Sequence, residues 1–206
     1  VMNKQHFLKL CNNIIERDHD FNIWAYARID TVKEEYLDTL KKAGVNWLAL
    51  GIESGNKVVR KDVVKGKFTE VNISDLVNKV KDAGINVIGN YIFGLPVDMA
   101  TDLNCEFANF YSTMAYPGSK LYLDAIKEGW ELPKSYVGYS QHSYECQPLP
   151  TKHISAADVV SFRDKAFDTY YKDEKYLSFI ESKFGKETRK SIVDMSAHKL
   201  KRKILE

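Results

Sequence analysis

Two glycines bracket a carboxylate and a hydroxyl in Gly51-Ile52-Glu53-Ser54-Gly55. An ionised carboxylate makes strong hydrogen bonds to hydroxyl and ammonium donors, and flanking glycines let a ligand approach the backbone. The stretch follows the apolar run Val45-Asn46-Trp47-Leu48-Ala49-Leu50, which reads as a buried strand. Glu53 and Ser54 thus stand at a strand's C-terminal end, where β/α barrels build their active sites. Two neighbouring strands end in similar segments, Tyr26-Ala27-Arg28-Ile29-Asp30 and Gly89-Asn90-Tyr91-Ile92-Phe93-Gly94-Leu95-Pro96. The planar fork of Arg28 matches a carboxylate, either a ligand's or that of Asp30 or Glu53. Tyr91 is either a ligand-facing ring or a half-buried strand residue. Tyr111, near the end of a later strand, is a candidate cavity wall. His142 sits in a tyrosine-rich loop (Tyr136, Tyr139, His142, Tyr144) that either closes over substrate or packs as an aromatic lid.

The elements that carry these residues follow a repeated pattern. Leu37, Leu40 and Ala43 lead through Gly44 into Val45-Asn46-Trp47-Leu48; Leu76, Val77, Val80 and Ala83 lead through Gly84 into Ile85-Asn86-Val87-Ile88. Each is an amphipathic helix, a C-capping glycine and a β-rich strand. Strands joined by helices predict a parallel sheet with right-handed crossovers. The periodicity predicts helices over 3–16, 121–128, 155–171, 175–184 and 186–205. It predicts strands over 22–28, 45–50, 85–93 and 107–111. Thr31 and Glu34 form a capping-box signature for the helix before Gly44, and Ser74 lies near the start of the helix before Gly84. The connection 56–72 is polar with a possible short helix, Tyr116-Pro117-Gly118 reads as a turn, and 130–149 reads as an ordered surface loop. Only 97–105 separate Pro96 from Glu106, fewer than the dozen or more residues a parallel crossover takes, so residues are expected to be missing near Asp98–Thr101. The chain also opens in a helix with no strand before it, so strands are expected upstream of Val1.

Composition narrows the function. The chain has 206 residues, 44% hydrophobic and 28% charged, as in ordinary globular proteins. A formal charge of +2 gives no argument for nucleic acid. No apolar run is long enough to span a bilayer. The basic run Lys199-Leu200-Lys201-Arg202-Lys203 reads as a solvated helix end. Cys11, Cys105 and Cys146 are scattered without a C-x-x-C pair, which suits a reducing cytoplasm; Cys11 and Cys105 read as small buried side chains, and the loop position of Cys146 leaves its role less decided. The histidines at 6, 19, 142, 153 and 198 show no metal-ligand spacing.

Four motifs in order, Ala27-Arg28-Ile29-Asp30, Gly51 to Gly55, Gly89 to Pro96, and Tyr116-Pro117-Gly118-Ser119-Lys120-Leu121-Tyr122, resemble the C-terminal part of a radical S-adenosylmethionine (SAM) enzyme, of the branch associated with a cobalamin-binding domain. The resemblance covers roughly 1–130. It implies an α/β fold, a partial β/α barrel, followed here by a connecting loop over 131–154 and a helical extension over 155–206. It implies SAM lying across the strand ends, with Arg28, Glu53, Ser54, Gly89, Asn90 and Tyr91 as cofactor-binding residues and Tyr111 and His142 toward a small-molecule substrate. It implies an iron–sulfur cluster, reductive cleavage of SAM to a 5′-deoxyadenosyl radical or methyl transfer through cobalamin, and an electron donor such as flavodoxin or ferredoxin. The family's C-x-x-x-C-x-x-C segment is absent from this sequence, so the cluster ligands are expected upstream. The rivals are a lyase or aldolase barrel using Glu53 and a lysine, and a non-catalytic degenerate barrel serving as a binding or scaffold module.

Overall fold

The computed structural model describes residues 3–53, 72–92, 97–150 and 154–206, with Glu53 and 97–99 described by backbone alone. It divides into two compact units, Val1–Asn109 and Phe110–Glu206.

In the first unit, α1 (Lys4–Glu16) is capped by Asn3, whose side chain accepts from the His6 amide at 3.1 Å. Then come β1 (Ile23–Arg28), α2 (Leu37–Lys42), β2 (Val45–Glu53), α3 (Ile73–Asp82), β3 (Asn86–Ile92), α4 (Val97–Leu103) and β4 (Phe107–Tyr111). The strands lie in the order β1-β2-β3-β4, with β1, β2 and β3 mutually parallel. Leu48, Leu50, Ile52 and Val87 are at 0% exposure, and Ala49 and Ile88 on the opposite face of β2 and β3 are buried as well, so exposure alternates cleanly along β1 but not along β2 and β3. Apolar side chains of α2 and α3, among them Leu37, Leu40, Val77 and Val80, are buried as the periodicity predicts.

The two repeat glycines behave alike. Gly44 and Gly84 adopt φ of +88° and +75°, the left-handed helix-ending conformation. Gly44 also touches another segment: a Cβ there would lie 2.2 Å from the Phe21 carbonyl oxygen, and its own carbonyl accepts from the Ile23 amide at 2.8 Å to start β1 against β2.

Two expectations are corrected here. Thr31 caps no helix. Its hydroxyl donates back to the Arg28 carbonyl at 2.8 Å, Val32 and Lys33 are extended, and α2 begins only at Leu37. Glu34 lies in a 3-10 turn and pairs with Lys79 at 2.9 Å. The short crossover also disappears: β3 ends at Ile92, so positions 93–106 make the connection and include α4. That length meets the crossover requirement, and the inference of missing residues near Asp98–Thr101 loses its ground. Ser54, Gly55, the connection up to residue 71, and Phe93 with Gly94-Leu95-Pro96 lie outside the described residues.

The second unit contains α5 (Lys120–Lys127), capped by Ser119; α6 (Ala156–Tyr171), whose cap Ser155 forms a reciprocal box with Asp158; α7 (Glu174–Phe184), capped by Asp173; and α8 (Lys186–Ala197). The long last helix predicted to residue 205 stops at Ala197, and a 3-10 turn follows at Lys203–Leu205. The basic run is therefore no helix end, and Arg202 is buried at 3% exposure. Its guanidinium forks onto Asp164 with two 2.8 Å bonds and donates to the Ser143 carbonyl at 2.9 Å. An ion pair strong enough to bury the guanidinium supplies the reason. Tyr170, Tyr171 and Tyr176 form an aromatic core with centroids 4.6–5.4 Å apart. The 130–149 loop is ordered as predicted but only partly superficial, since Tyr139, Gln141, Cys146 and Leu149 are buried.

Candidate functional site

The three strand ends that the sequence singles out share one edge. Arg28 of β1 registers with Gly51 of β2, and Gly51 with Asn90 of β3. Residues in register across a parallel sheet project to the same face, so Arg28 and Asn90 belong to one row. On the edge strand β1 that face is open, with Trp24 and Tyr26 56% and 67% exposed and their rings stacked at 5.7 Å, whereas Ala49 and Ile88 on the same face of β2 and β3 are buried. A register shift between Gly51 and Glu53 brings the Glu53 backbone opposite Tyr91. Such a bulge re-aims a strand at its end.

Polar side chains connect along this rim. Arg28 donates to both oxygens of Asp30, from Nε at 3.2 Å and from Nη2 at 2.7 Å. The in-chain partner weighed from the sequence is thus present. The pair is part-exposed, so it holds Arg28 weakly, at about 0–1 kcal/mol. Asn90 donates to the Leu50 carbonyl at 3.4 Å and accepts from the Asn109 side chain at 3.0 Å. This carboxamide ladder presents donors and acceptors at the ends of β3 and β4, a surface suited to a base edge or a ribose.

Gly89 and Tyr91 lie on the other face. The Tyr91 ring, 2% exposed, folds over Gly89, where an added Cβ would meet it at 2.8 Å. Gly89 makes room for that ring, and Tyr91 does not offer its aromatic face to the side of Arg28 and Asn90. Tyr91 is a strand residue buried more deeply than the half-buried alternative expected, because strand alternation sends residues 89 and 91 together toward the core.

In the second unit, Tyr111 is 36% exposed. Just after it, the Ser112 backbone is clamped by Gln141, whose amide accepts from the Ser112 amide at 2.9 Å and donates to its carbonyl at 2.8 Å. Next to Gln141, His142 titrates below the ordinary histidine range. Partial burial of the ring is the first cause and the nearby Arg163 and Arg202 cations the next. The imidazole is therefore neutral near pH 7, although the residue as a whole is exposed. Sequence reasoning missed Asn109, Gln141, and the Arg163–Asp164–Arg202 cluster. Asn109 shares a face of β4 with Tyr111 and was readable once register was known. The others meet only through tertiary folding.

The three cysteines are free and buried. Burial pushes all three thiols upward, Cys105 to about 12. Cys146, whose role its loop position left less decided, is 2% exposed beside Met114 and Val160. Among the described residues no group of three or more His, Cys, Asp or Glu is placed to hold a metal ion. Iron–sulfur clusters need clustered thiolates, so these cysteines do not fit one. Among the described residues no helix is long and apolar enough to cross a membrane.

Comparison with known proteins adds to this geometry. The Radical SAM superfamily model matches residues 6–107. An uncharacterized methyltransferase of Pyrococcus horikoshii is 24% identical over 86% of this chain and 40% of its own length. A protein named as a methylthiotransferase of Methanocaldococcus jannaschii is 32% identical over 49% of this chain and 22% of its own. The chain thus spans less than half the length of either curated relative. Among solved structures, the radical S-adenosylmethionine methyltransferase TsrM of Kitasatospora setae, with cobalamin and a 4Fe-4S cluster bound, superposes with a TM-score of 0.52 at 21% identity, covering 60% of this chain and 28% of that one. This likeness is one of fold, an α/β partial barrel with a parallel sheet.

Proposed function

Since the chain belongs, over residues 6–107, to the radical SAM superfamily, we propose that the rim at the C-terminal strand ends of its sheet binds SAM as part of a methyl-transferring radical SAM protein. The observation that carries this is the shared register row of Arg28, Gly51 and Asn90 at the C-terminal strand ends. In this reading Asn90, steadied by Asn109, meets the adenine or ribose, and Arg28 exchanges Asp30 for the carboxylate of SAM. Glu53 and Ser54, next along β2, take ribose hydroxyls or the ammonium. Gly89 and Tyr91 serve through their backbone and by shaping the strand. Tyr111 and the neutral His142 remain our substrate-facing choices for a small molecule.

Methyl transfer is supported by what the relatives are named for, and a cobalamin partner by what the TsrM structure contains. The cysteines of this chain do not fit a cluster, so the proposal routes no step through one. Cluster ligands upstream, and a donor of the flavodoxin or ferredoxin type, belong to this reading as parts outside this sequence. The same cysteine finding favours a second reading, a barrel that binds without catalysing.

Isothermal titration of SAM into the chain tests the rim. Glu53→Ala and Asn90→Ala are each expected to weaken binding about tenfold, the loss of a hydrogen bond to a charged or polar ligand group. Equal affinity in the parent and both variants overturns the assignment.

A further inference from the structure

The second unit holds a cavity of about 460 Å³ that the SAM reading does not use. That volume lies in the range of small-ligand sites. Its apolar wall is Leu132 and Pro133, and Leu132 packs on the buried cluster of Ala115, Ala125 and Leu149. The wall is tight: a Cβ on Gly138 would come within 2.6 Å of the Pro133 Cβ, and the Gly138 carbonyl is fixed by the Gln147 amide at 3.0 Å.

Four charged side chains line the same cavity, Glu131, Glu145, Lys134 and Lys203. Two are acids and two are bases, yet among the described residues none of them pairs with another. Each carboxylate instead takes a neutral neighbour, Glu131 the Gln147 amide and Glu145 the Ser135 hydroxyl, both at 3.3 Å. Neutral hydrogen bonds orient the carboxylates without neutralising them. Lys203 comes from the segment that the Arg202–Asp164 fork fixes, and its backbone amide binds the Tyr144 carbonyl at 2.9 Å. Its position is therefore set by the fold.

We propose that this cavity binds a small zwitterion with an apolar side arm, of free amino-acid size. The ammonium group goes to Glu131 and Glu145, the carboxylate to Lys134 and Lys203, and the apolar arm to Leu132 and Pro133. A ligand with both charges satisfies both sets at once, whereas a singly charged analogue leaves one set unused. The cavity's lining shares no residue with the SAM rim, and the proposal does not depend on that reading.

Three probes that share a phenyl arm test it: L-phenylalanine, phenethylamine and 3-phenylpropanoate, titrated into the purified chain. The zwitterion is expected to bind at least tenfold more tightly than either singly charged probe. Glu145→Gln should remove its advantage over 3-phenylpropanoate, and Lys203→Gln its advantage over phenethylamine. Both positions are exposed, so melting temperatures should stay at the parent value and report intact folding. Equal affinity for all three probes, no measurable binding, or parent-like selectivity in both variants overturns the proposal. SAM affinity measured on the same samples should fall with Asn90→Ala and not with the cavity variants, so the two sites can fail independently.

Discussion

Both units satisfy buried backbone groups with side chains, and they differ in that the second adds a shared ion pair. In the first, the carboxylate of Glu106, 2% exposed, accepts the Val87 backbone amide at 2.7 Å, and the Lys81 ammonium caps the Leu103 and Asn104 carbonyls at 2.9 and 2.8 Å. Side chains there serve the backbone at strand and helix ends. In the second, Arg163 and Arg202, 6% and 3% exposed, share the single carboxylate of Asp164 at 2.8 Å. That anion joins α6 to the C-terminal turn, and Arg202 ties in the tyrosine-rich loop through the Ser143 carbonyl. Sheet regularity organises the first unit, and a charge node the second.

Removing the node should have the largest effect. Asp164→Asn leaves two guanidiniums buried without their anion, and breaking a buried pair costs about 3–5 kcal/mol. Urea denaturation should show that loss with a nearly unchanged slope; a loss under 1 kcal/mol would mean that packing, not charge, holds the second unit. Acid should reproduce the effect. Burial alone raises the Asp164 carboxyl, but hydrogen bonds from Arg202 and Arg163 outweigh it and hold the group below the usual range; Lys199 and Lys172 likewise outweigh burial at Asp168. A depressed folded value means that the stabilisation is full above the ordinary carboxylate value of about 3.9 and fades as pH falls through the folded one. Stability of the second unit, read from its amide NMR signals in urea, should therefore fall as pH drops through the folded value, whereas Asp164→Asn should start lower and lose most of that pH step.

The repeat glycines sharpen the other side of the comparison. Gly44→Ala meets left-handed strain and the Phe21 carbonyl together, so we expect a loss of at least about 2 kcal/mol. Gly84→Ala meets only strain, because its nearest neighbour is the flexible end of Lys41 at 3.5 Å, and should lose about 1 kcal/mol. Equal losses at both sites would show that the Phe21 contact yields. The smallest effect is expected from Ser155→Ala, which removes one half of the α6 capping box, at about 1 kcal/mol or less, read as a small fall in melting temperature.

Much of the first unit was legible because its signals are local. Helical spacing in Leu76-Val77-Val80, glycine after each helix, and apolar runs between them predict α3, Gly84 and the sheet, and the structure follows. Asn3 and Ser155 were likewise readable as helix starts. Thr31 shows where local signals fail: a hydroxyl with two available backbone partners satisfied itself on the Arg28 carbonyl, and no sequence spacing distinguishes those choices. Arg202 shows the same for charge. A basic run looks solvated until a carboxylate thirty-eight positions earlier comes within 2.8 Å.

The sequence by itself determined the β/α pattern, the polar strand ends at Arg28, Glu53 and Asn90, and the lack of a cluster-cysteine segment, because period, turn chemistry and residue type are properties of neighbours along the chain. Only the tertiary structure decided that Arg28 and Asn90 share a register row, that the Tyr91 ring turns away to cover Gly89, that Asn109 steadies Asn90, and that Asp164 gathers two arginines. Those facts depend on pairing and burial between distant segments, and the free energy of a buried charge or a strand register is set by which surfaces meet.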